Sequence, residues 1–262
     1  MGPIYSMKRY FFHLSGIVIL FMSAGLGFSD VDGLWVAQQI DQRETGEDAK
    51  LQMNMILIDK KERERKRNLF IMRKQFNSND RLLLKFTYPN DIKGTALLVW
   101  ENRGKDNERF LYLPALGRIR RITTNEKDEN FAGTDFSYED ISGRKLEDYT
   151  YQLIEEEVIY NTKECYLLAS YPSEKDAKFP KIISWVTKDT FVVIKAEYYN
   201  RRGELEKTYR VDKLEKIDEI WTPLEFQMEN HDLNHKTISV VTDVEYNTGI
   251  PEHSFELREL EK

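Results

Sequence analysis

The sequence predicts a mainly β protein, an antiparallel meander of ten or so strands that must either close or curl strongly. Three observations support this prediction. Apolar and polar residues alternate with a period of two over most of the chain after residue 50. Short polar segments rich in Asn, Asp and Gly separate the alternating runs. Only one long stretch, near residue 32, has apolar residues at helical spacing.

The first 29 residues have the three-part layout of a secretory signal peptide. Met7-Lys8-Arg9 precedes an apolar run from Tyr10 to Met22, and a segment with small residues ends at Gly27-Phe28-Ser29. The apolar run is shorter than the about 20 residues that a membrane span needs. We therefore expect cleavage after Ser29, export, and a single mature domain of residues 30–262. No cysteine lies near this cleavage site, so a lipid-anchored N-terminus is not expected.

The composition is that of a folded protein without an electrostatic preference for nucleic acid. Aromatic residues make up 12% of the chain, which allows a sizeable core although 32% of the residues are charged. The net charge is -6 with both signs interleaved, so no nucleic-acid partner is expected. The only cysteine, Cys165, lies in a strand-like run and is expected to be a buried structural thiol. We expect a monomer.

A helix and a pair of long strands open the mature chain. Asp32 can cap a helix through about Glu44, because Leu34, Ala37 and Ile40 recur at helical spacing and Gly46 can end it. Two alternating runs follow, one around residues 51–57 and one from about residue 64. The charged connection at residues 59–67 could meet an anionic membrane surface, but a solvated hairpin is the simpler interpretation.

Alternation continues to the end of the chain, interrupted by polar turns and one long loop. The further strands are expected at residues 81–88, 95–100, 109–113, 149–159, 164–171, 181–187, 191–199, 205–214, 220–228 and 237–246.

One segment, residues 110–140, combines features that the other strands and turns lack. A strand and a Pro114–Gly117 corner lead into a second short strand that contains three arginines. An aromatic and acidic loop follows. The arginines could form bidentate ion pairs with the loop carboxylates. These pairs could act as a latch that holds the loop over a cavity, or they could only fasten the loop. The residues of this expected gating loop are Arg118, Arg120, Arg121, Phe131, Asp135, Phe136, Tyr138, Glu139 and Asp140.

The sequence contains no arrangement typical of an enzyme. It has no Gly-x-Ser-x-Gly elbow, no phosphate-binding glycine loop and no paired metal-ligand cysteines. His231 and His235 are four residues apart, but Asp232-Leu233-Asn234 between them indicates a turn and not a helix. Carboxylates beside arginines would have lowered pKa values, which do not suit a general acid. We expect no catalytic residue, no metal and no cofactor.

Several motifs resemble one family. YLPALGRIRRI (residues 112–122) and FAGTDFSYEDI (residues 131–141) are similar to the signature of the periplasmic outer-membrane lipoprotein-sorting proteins related to the carrier LolA, specifically the branch found beside RND-type exporters. Further segments agree, although members more often have Met-Gly-Ser at Ala132-Gly133-Thr134. These segments are residues 88–96, Leu146–Tyr151, Trp221-Thr222-Pro223 and Tyr246–Pro251.

The resemblance implies a fold and a function. It implies that the sheet forms an incomplete barrel, as in LolA and LolB, with a few covering helices and an apolar interior that receives acyl chains of lipids or lipoproteins in the periplasm. Adaptable side chains would suit such a cavity, unless they only fill a core. The residues expected to line it are Met53, Met55, Phe70, Met72, Phe76, Trp100 and Tyr112. The alternatives are an adaptor or sensor subunit of an inner-membrane RND-type exporter and, less favoured, an unrecognised hydrolase.

Overall fold

The computed structural model describes residues 31–76, 79–102 and 104–262; the expected signal peptide at residues 1–29 lies outside them. This part of the chain forms one open antiparallel sheet of thirteen strands with two α-helices, which confirms the predicted fold class. The helices are Gly33–Gln42 (α1) and Tyr138–Ser142 (α2). The strands are Asp48–Ile58 (β1), Glu64–Phe76 (β2), Asn79–Tyr88 (β3), Ala96–Trp100 (β4), Glu108–Leu113 (β5), Arg118–Ile122 (β6), Tyr149–Tyr160 (β7), Lys163–Pro172 (β8), Lys181–Thr187 (β9), Val193–Tyr199 (β10), Leu205–Ile217 (β11), Ile220–Asn230 (β12) and His235–Tyr246 (β13).

The strand order explains why one long connection is needed. Neighbouring strands follow the order β6-β5-β4-β3-β2-β1-β13-β12-β11-β10-β9-β8-β7, so the first and last strands pair in the middle of the sheet. The edge strands β6 and β7 are consecutive in the chain. Residues 123–148, called the connecting segment below, therefore join the two edges of the sheet.

The two faces of the sheet are covered by different parts of the chain. We call the face that packs against α1 and the connecting segment the inner face; its buried residues include Met53, Leu69 and Phe86. The outer face of β3 and β4 is covered by the C-terminal residues Ile250, Phe255 and Leu260. Because residues alternate along each strand, both faces of this part of the sheet are apolar.

The helix α1 begins where the sequence predicts, but one of its apolar residues faces solvent. The Asp32 carboxylate accepts a hydrogen bond of 2.7 Å from the Trp35 backbone N–H. Val36 and Ala37 are buried against β8 and β9, whereas Leu34, predicted on the apolar side, is 47% exposed. At Gly33 a Cβ would lie 2.7 Å from the β7 backbone, so only glycine permits this close approach. Neither helix in the described residues is long and apolar enough to cross a membrane.

The buried Asp48 fixes the C-terminal segment to the centre of the sheet. Its carboxylate accepts hydrogen bonds from the backbone N–H groups of Thr248, Gly249 and Ile250 at 2.8, 2.9 and 2.9 Å. Burial opposes ionisation, but these hydrogen bonds outweigh it and lower the pKa of Asp48. The ionised carboxylate therefore stabilises the junction at which β1 and β13 meet.

We predict that Asp48→Ala lowers the free energy of unfolding by about 2–4 kcal/mol, because several backbone donors lose a charged acceptor. Since the folded pKa is lowered, the contribution of Asp48 is present at neutral pH and is lost as the pH falls through that folded pKa. Urea denaturation at pH 7 and at acidic pH measures both effects. Asp243→Ala, at an exposed position on β13, is the control and should change stability by less than about 0.5 kcal/mol. Equal losses for the two variants would contradict the assignment.

Candidate functional site

A cavity of about 540 Å³ lies on the inner face beside α1 and α2. Its volume falls within the range of about 300–1,000 Å³ that is typical of ligand sites. One part of the wall consists of apolar and aromatic side chains: Ala37, Ile40, Ile141, Leu146, Tyr149, Tyr151, Leu168, Val193, Ile220, Trp221 and Pro223. Charged residues from α1, β2 and β3 line another part, so the cavity has an amphipathic lining.

Three arginines and three carboxyl groups supply this charge, and Arg144 and Asp41 are two of them. Arg43, directly after α1, and Arg73 on β2 both line the cavity, as do Asp80 and Glu101. Burial, together with the positive charge of Arg73, lowers the pKa of Arg43. Burial, together with the charge of Asp80, raises the pKa of Glu101 to about 7. These charges are therefore partly removed from water.

The connecting segment covers the rest of the inner face with aromatic side chains. Phe131, Phe136 and Tyr138 are buried in the main core together with the sheet residues around them. Phe131 stacks on Phe86 with 5.5 Å between the ring centroids, and Phe136 meets Phe226 edge-on at 6.0 Å. At these positions the aromatic side chains of the segment fill the space between it and the sheet.

Asp135 holds the tip of the connecting segment against β13. It is only 1% exposed, and its Oδ2 lies 2.7 Å from His235 Nδ1 and accepts a hydrogen bond of 2.8 Å from Thr237 Oγ1. The Asp135 backbone N–H donates to the same Thr237 hydroxyl at 3.0 Å. Both the backbone and the side chain of Asp135 are thus bound to the centre of the sheet.

Two buried cations hold the same tip from other strands. Lys207 on β11 is completely buried, and its ammonium donates to the Asp135 carbonyl at 2.8 Å and to Asn130 Oδ1 at 3.0 Å. Burial lowers the pKa of Lys207. Arg67 on β2 donates to the Ala132 carbonyl and lies over the ring of Phe86. The tip is therefore bound to three separate strands.

Polar contacts also fix α2 at the other end of the connecting segment. Arg144 donates to Asp140 Oδ1 at 2.8 Å and to the Tyr198 hydroxyl at 2.7 Å, and this hydroxyl lies 3.1 Å from the same carboxylate oxygen. The guanidinium of Arg109 donates to Ser142 Oγ from Nε at 3.1 Å and from Nη2 at 2.8 Å. These contacts connect α2 to β5 and β10.

The predicted ion pairs of the gating loop are wrong. Arg120 pairs with Glu126, and Arg121 pairs with Glu108 at 3.0 Å. Arg118 is exposed and makes no ion pair in the part of the chain that the structure describes. The loop carboxylates pair elsewhere, Glu139 with Lys127 at 3.5 Å, because the connecting segment turns inward while β6 remains at the edge of the sheet. Asp135 is a buried fastening of the loop, which is the alternative left open by the sequence; a gating role of the segment stays a prediction.

The prediction that seven residues line one cavity is also wrong. Met53 and Met55 are buried in the core below the connecting segment. The remaining five alternate along their strands with inner-face residues and therefore lie on the outer face, where four of them pack near the C-terminal segment. They are Phe70, Met72, Phe76, Trp100 and Tyr112. Alternation along a strand shows which residues share a face, but it does not show which of the two faces is the inner one.

The sequence analysis missed Arg73, which lines the observed cavity, and the buried Lys207, although both left a signal in the sequence. Arg73 follows Leu69 and Ile71 on one side of β2, and Lys207 precedes Tyr209 on one side of β11. A cation at an inward position of an alternating strand is uncommon unless it has a partner. His231 and His235 do not share a site, since His231 Nε2 lies 2.8 Å from Thr208 Oγ1.

We predict that Asp135→Ala lowers the free energy of unfolding by about 2–4 kcal/mol, because it removes a buried acceptor and leaves the His235 ring and the Thr237 hydroxyl without their carboxylate partner. Chemical denaturation measures the change. The control is Asp232→Ala, at an exposed turn position, for which a change below about 0.5 kcal/mol is expected. A loss below about 1 kcal/mol for Asp135→Ala would show that this contact does not fasten the segment.

Glu101 should give stability a pH dependence of the opposite sign to that of Asp48. Its folded pKa, about 7, lies above the ordinary value of 4.5, so ionisation in the folded state costs free energy. This cost is absent below about pH 4.5 and complete above about pH 7. We predict that Glu101→Gln raises the free energy of unfolding by about 1–3 kcal/mol at pH 8 relative to the parent, and that the gain disappears near pH 4.5. Glu147→Gln, at an exposed position, should produce no such trend; a pH-independent gain for Glu101→Gln would refute the prediction.

Solved structures of other proteins are similar to this chain. A crystal structure of a candidate outer membrane lipoprotein-sorting protein domain from Vibrio parahaemolyticus is 29% identical, with a TM-score of 0.83, over 88% of this chain and 98% of that chain. A DUF1329 family protein from Desulfovibrio piger is 29% identical, with a TM-score of 0.82, over 87% of this chain and 97% of that chain. A LolA superfamily protein from Nitrosomonas europaea is 18% identical, with a TM-score of 0.69, over 87% of this chain and 99% of that chain, which supports the fold alone.

Sequence comparison assigns the chain to a protein family. No curated protein matches this chain. A family profile with the description "Uncharacterized protein" matches residues 78–262, which is more than half of the chain. The matched region extends from β3 to the C-terminal segment and includes the connecting segment and most of the cavity wall. The chain therefore belongs to this family, and its fold is that of the LolA-like lipoprotein-sorting proteins.

Proposed function

We propose that this protein is a carrier that binds an acyl chain of a lipid or lipoprotein in the cavity between α1 and the inner face. The observation that carries the proposal is the cavity of about 540 Å³ with one apolar wall, to which the end of the connecting segment contributes Ile141 and Leu146. The similarity to a candidate lipoprotein-sorting domain supports the same activity. A filled half-barrel without this cavity would offer no place for cargo.

The energetics suit reversible binding. Each buried methylene contributes about 0.8 kcal/mol, so a chain of ten methylenes gains on the order of 8 kcal/mol before the costs of ordering are subtracted. The polar part of the wall limits this gain, because charged groups offer no apolar contact. Moderate affinity is what a carrier needs, since it must release its cargo to an acceptor.

The helix α1 is better suited to open the cavity than the connecting segment. In the described residues α1 packs on the sheet through apolar side chains and aromatic contacts, such as those of Trp35 with Tyr166 and Phe191. The connecting segment, in contrast, is fastened by hydrogen bonds of charged groups at both ends, buried at Lys207 and half-buried at Arg144. Displacing the connecting segment would break contacts of charged groups, at about 3–5 kcal/mol for each one that is buried, whereas displacing α1 would break apolar contacts.

The periplasm is the compartment in which we propose this transfer, on the basis of the signal-peptide pattern in residues 1–29. N-terminal sequencing of the exported protein would test this by locating the start near residue 30. Transfer toward the outer membrane, and association with an inner-membrane RND-type exporter, are proposals that rest on the motif resemblance in residues 112–141. Co-purification of the exporter from membranes would support the association, and its consistent absence would count against it.

A substitution that fills the cavity should block binding without unfolding the sheet. Ser170 on β8 lines the cavity, and its neighbour across the ladder, Tyr151, lines it too. We predict that Ser170→Trp lowers the affinity for a fluorescent fatty acid at least about tenfold, because the indole occupies space needed by the chain. Fluorescence titration of the delipidated protein measures the change.

The control is Thr150→Trp, one residue from Tyr151 on β7, where the side chain points to the opposite face and is exposed. It adds the same indole and should leave binding unchanged. Circular dichroism and thermal melting verify that both variants are folded. Equal affinity of folded Ser170→Trp and the parent protein would show that the chain does not enter this cavity.

A further inference from the structure

Three guanidinium groups line the cavity, and Arg144 is the one that pairs with a carboxylate, Asp140, among the described residues, whereas Arg43 and Arg73 do not. Neither side chain makes an ion pair within 4.0 Å in the described ranges 31–76, 79–102 and 104–262. The recorded hydrogen bond of Arg73 is a long one, 3.5 Å from Nη2 to the Gly46 carbonyl. Each guanidinium has five N–H donors, so both side chains can donate to a ligand in the cavity.

The backbone holds this pair in place. Arg73 lies opposite Ala49, and Ala49 lies opposite Tyr246, so the three residues form one row across β2, β1 and β13. Tyr246 also lines the cavity, and its hydroxyl is bonded to Thr222 Oγ1 at 2.7 Å. Arg43 follows directly after α1 and reaches the same row of strands. The cationic part of the wall is thus built from the centre of the sheet and the end of α1.

We infer that Arg43 and Arg73 form a subsite for the anionic headgroup of an acyl-chain ligand, a carboxylate or a phosphate, whose hydrocarbon chain lies along the apolar wall. This inference rests on the carrier function proposed above and specifies its ligand as a negatively charged amphiphile. A guanidinium pair suits both headgroups, because its N–H groups can bind two oxygens at once.

Electrostatics favour an anion at this position. Burying a charge is costly unless an opposite charge compensates for it, and here two like charges share one cavity. The lowered pKa values of Arg43 and Arg73, caused first by burial, express the same cost. Asp41, Asp80 and Glu101 line the cavity too and reduce its positive potential, but Glu101 becomes neutral as the pH falls below about 7. Anion binding should therefore strengthen in mildly acidic solution.

The test compares ligands that share one chain and differ in headgroup charge. Delipidated protein is titrated with palmitate, palmitoyl lysophosphatidate and hexadecanol, each below its micelle concentration. We expect Arg43→Gln and Arg73→Gln each to weaken binding of the anionic ligands about tenfold and to leave hexadecanol binding unchanged. Arg65→Gln, on β2 but at an exposed position outside the cavity, is the matched control and should change none of the three affinities.

The outcomes separate the subsite from the carrier function. A loss for both anions supports recognition of negative charge in general, and a loss for one of them identifies the headgroup as carboxylate or phosphate. If all three ligands bind but the arginine variants change no affinity, or change that of hexadecanol equally, the subsite is refuted while chain binding stands. If neither palmitate nor hexadecanol binds the parent protein, the carrier proposal fails and the subsite fails with it.

Discussion

The pairing of the first strand with the last one, β1 with β13, is the constraint on which the rest of the structure depends. It places the first and the last strand at the centre of the sheet, so the edges are β6 and β7. Consecutive edge strands can only be joined by a segment that crosses from one edge to the other, and residues 123–148 cross over the inner face. The crossing also solves a hydration problem, because the aromatic residues of this segment cover apolar sheet surface that would otherwise contact water.

The inner face has two covers that are attached by different kinds of interaction. The connecting segment is bound through Asp135, Lys207 and Arg144, all of which make ionic hydrogen bonds in surroundings with little water. Such contacts are directional, and they become costly as soon as one partner leaves. The helix α1 is held mainly by apolar packing, which is nondirectional and tolerates a gradual displacement. In the proposed carrier, a cover fastened by charged groups beside one held by apolar packing would suit a cavity that must both shield and release a ligand.

The cavity differs from the interior expected of an acyl-chain binder by its charged wall. Arg43, Arg73, Asp80 and Glu101 would each lose hydration if an apolar ligand filled the space completely. An amphiphile avoids this cost, because its headgroup can remain with the charged residues while its chain contacts Tyr149, Leu168 and their neighbours. The charged wall therefore restricts the range of suitable ligands more strongly than the apolar wall does, since hydrophobic contact alone discriminates weakly between chains.

The sequence by itself determined the local structure. The period-two alternation predicted the strands, the polar turns predicted their ends, and Asp32 predicted where α1 begins, because each of these depends on interactions between residues close in the chain. The family motifs predicted the open antiparallel sheet. The sequence also contained the cations at inward positions, Arg73 and Lys207, although not the groups that Lys207 contacts or the cavity that Arg73 lines.

Only the tertiary structure decided which faces and which charges meet. Alternation predicts that Phe70 and Leu69 point in opposite directions, but which of them is on the inner face depends on where α1 and the connecting segment pack. Apolar character does not identify that face for β2 to β4, since the C-terminal segment covers an apolar outer face there. Asp135 pairs with His235, 100 residues away, because strand order brings β13 below the segment. Charge pairing follows distance in space, and for residues on different strands that distance is set by the order and register of the sheet.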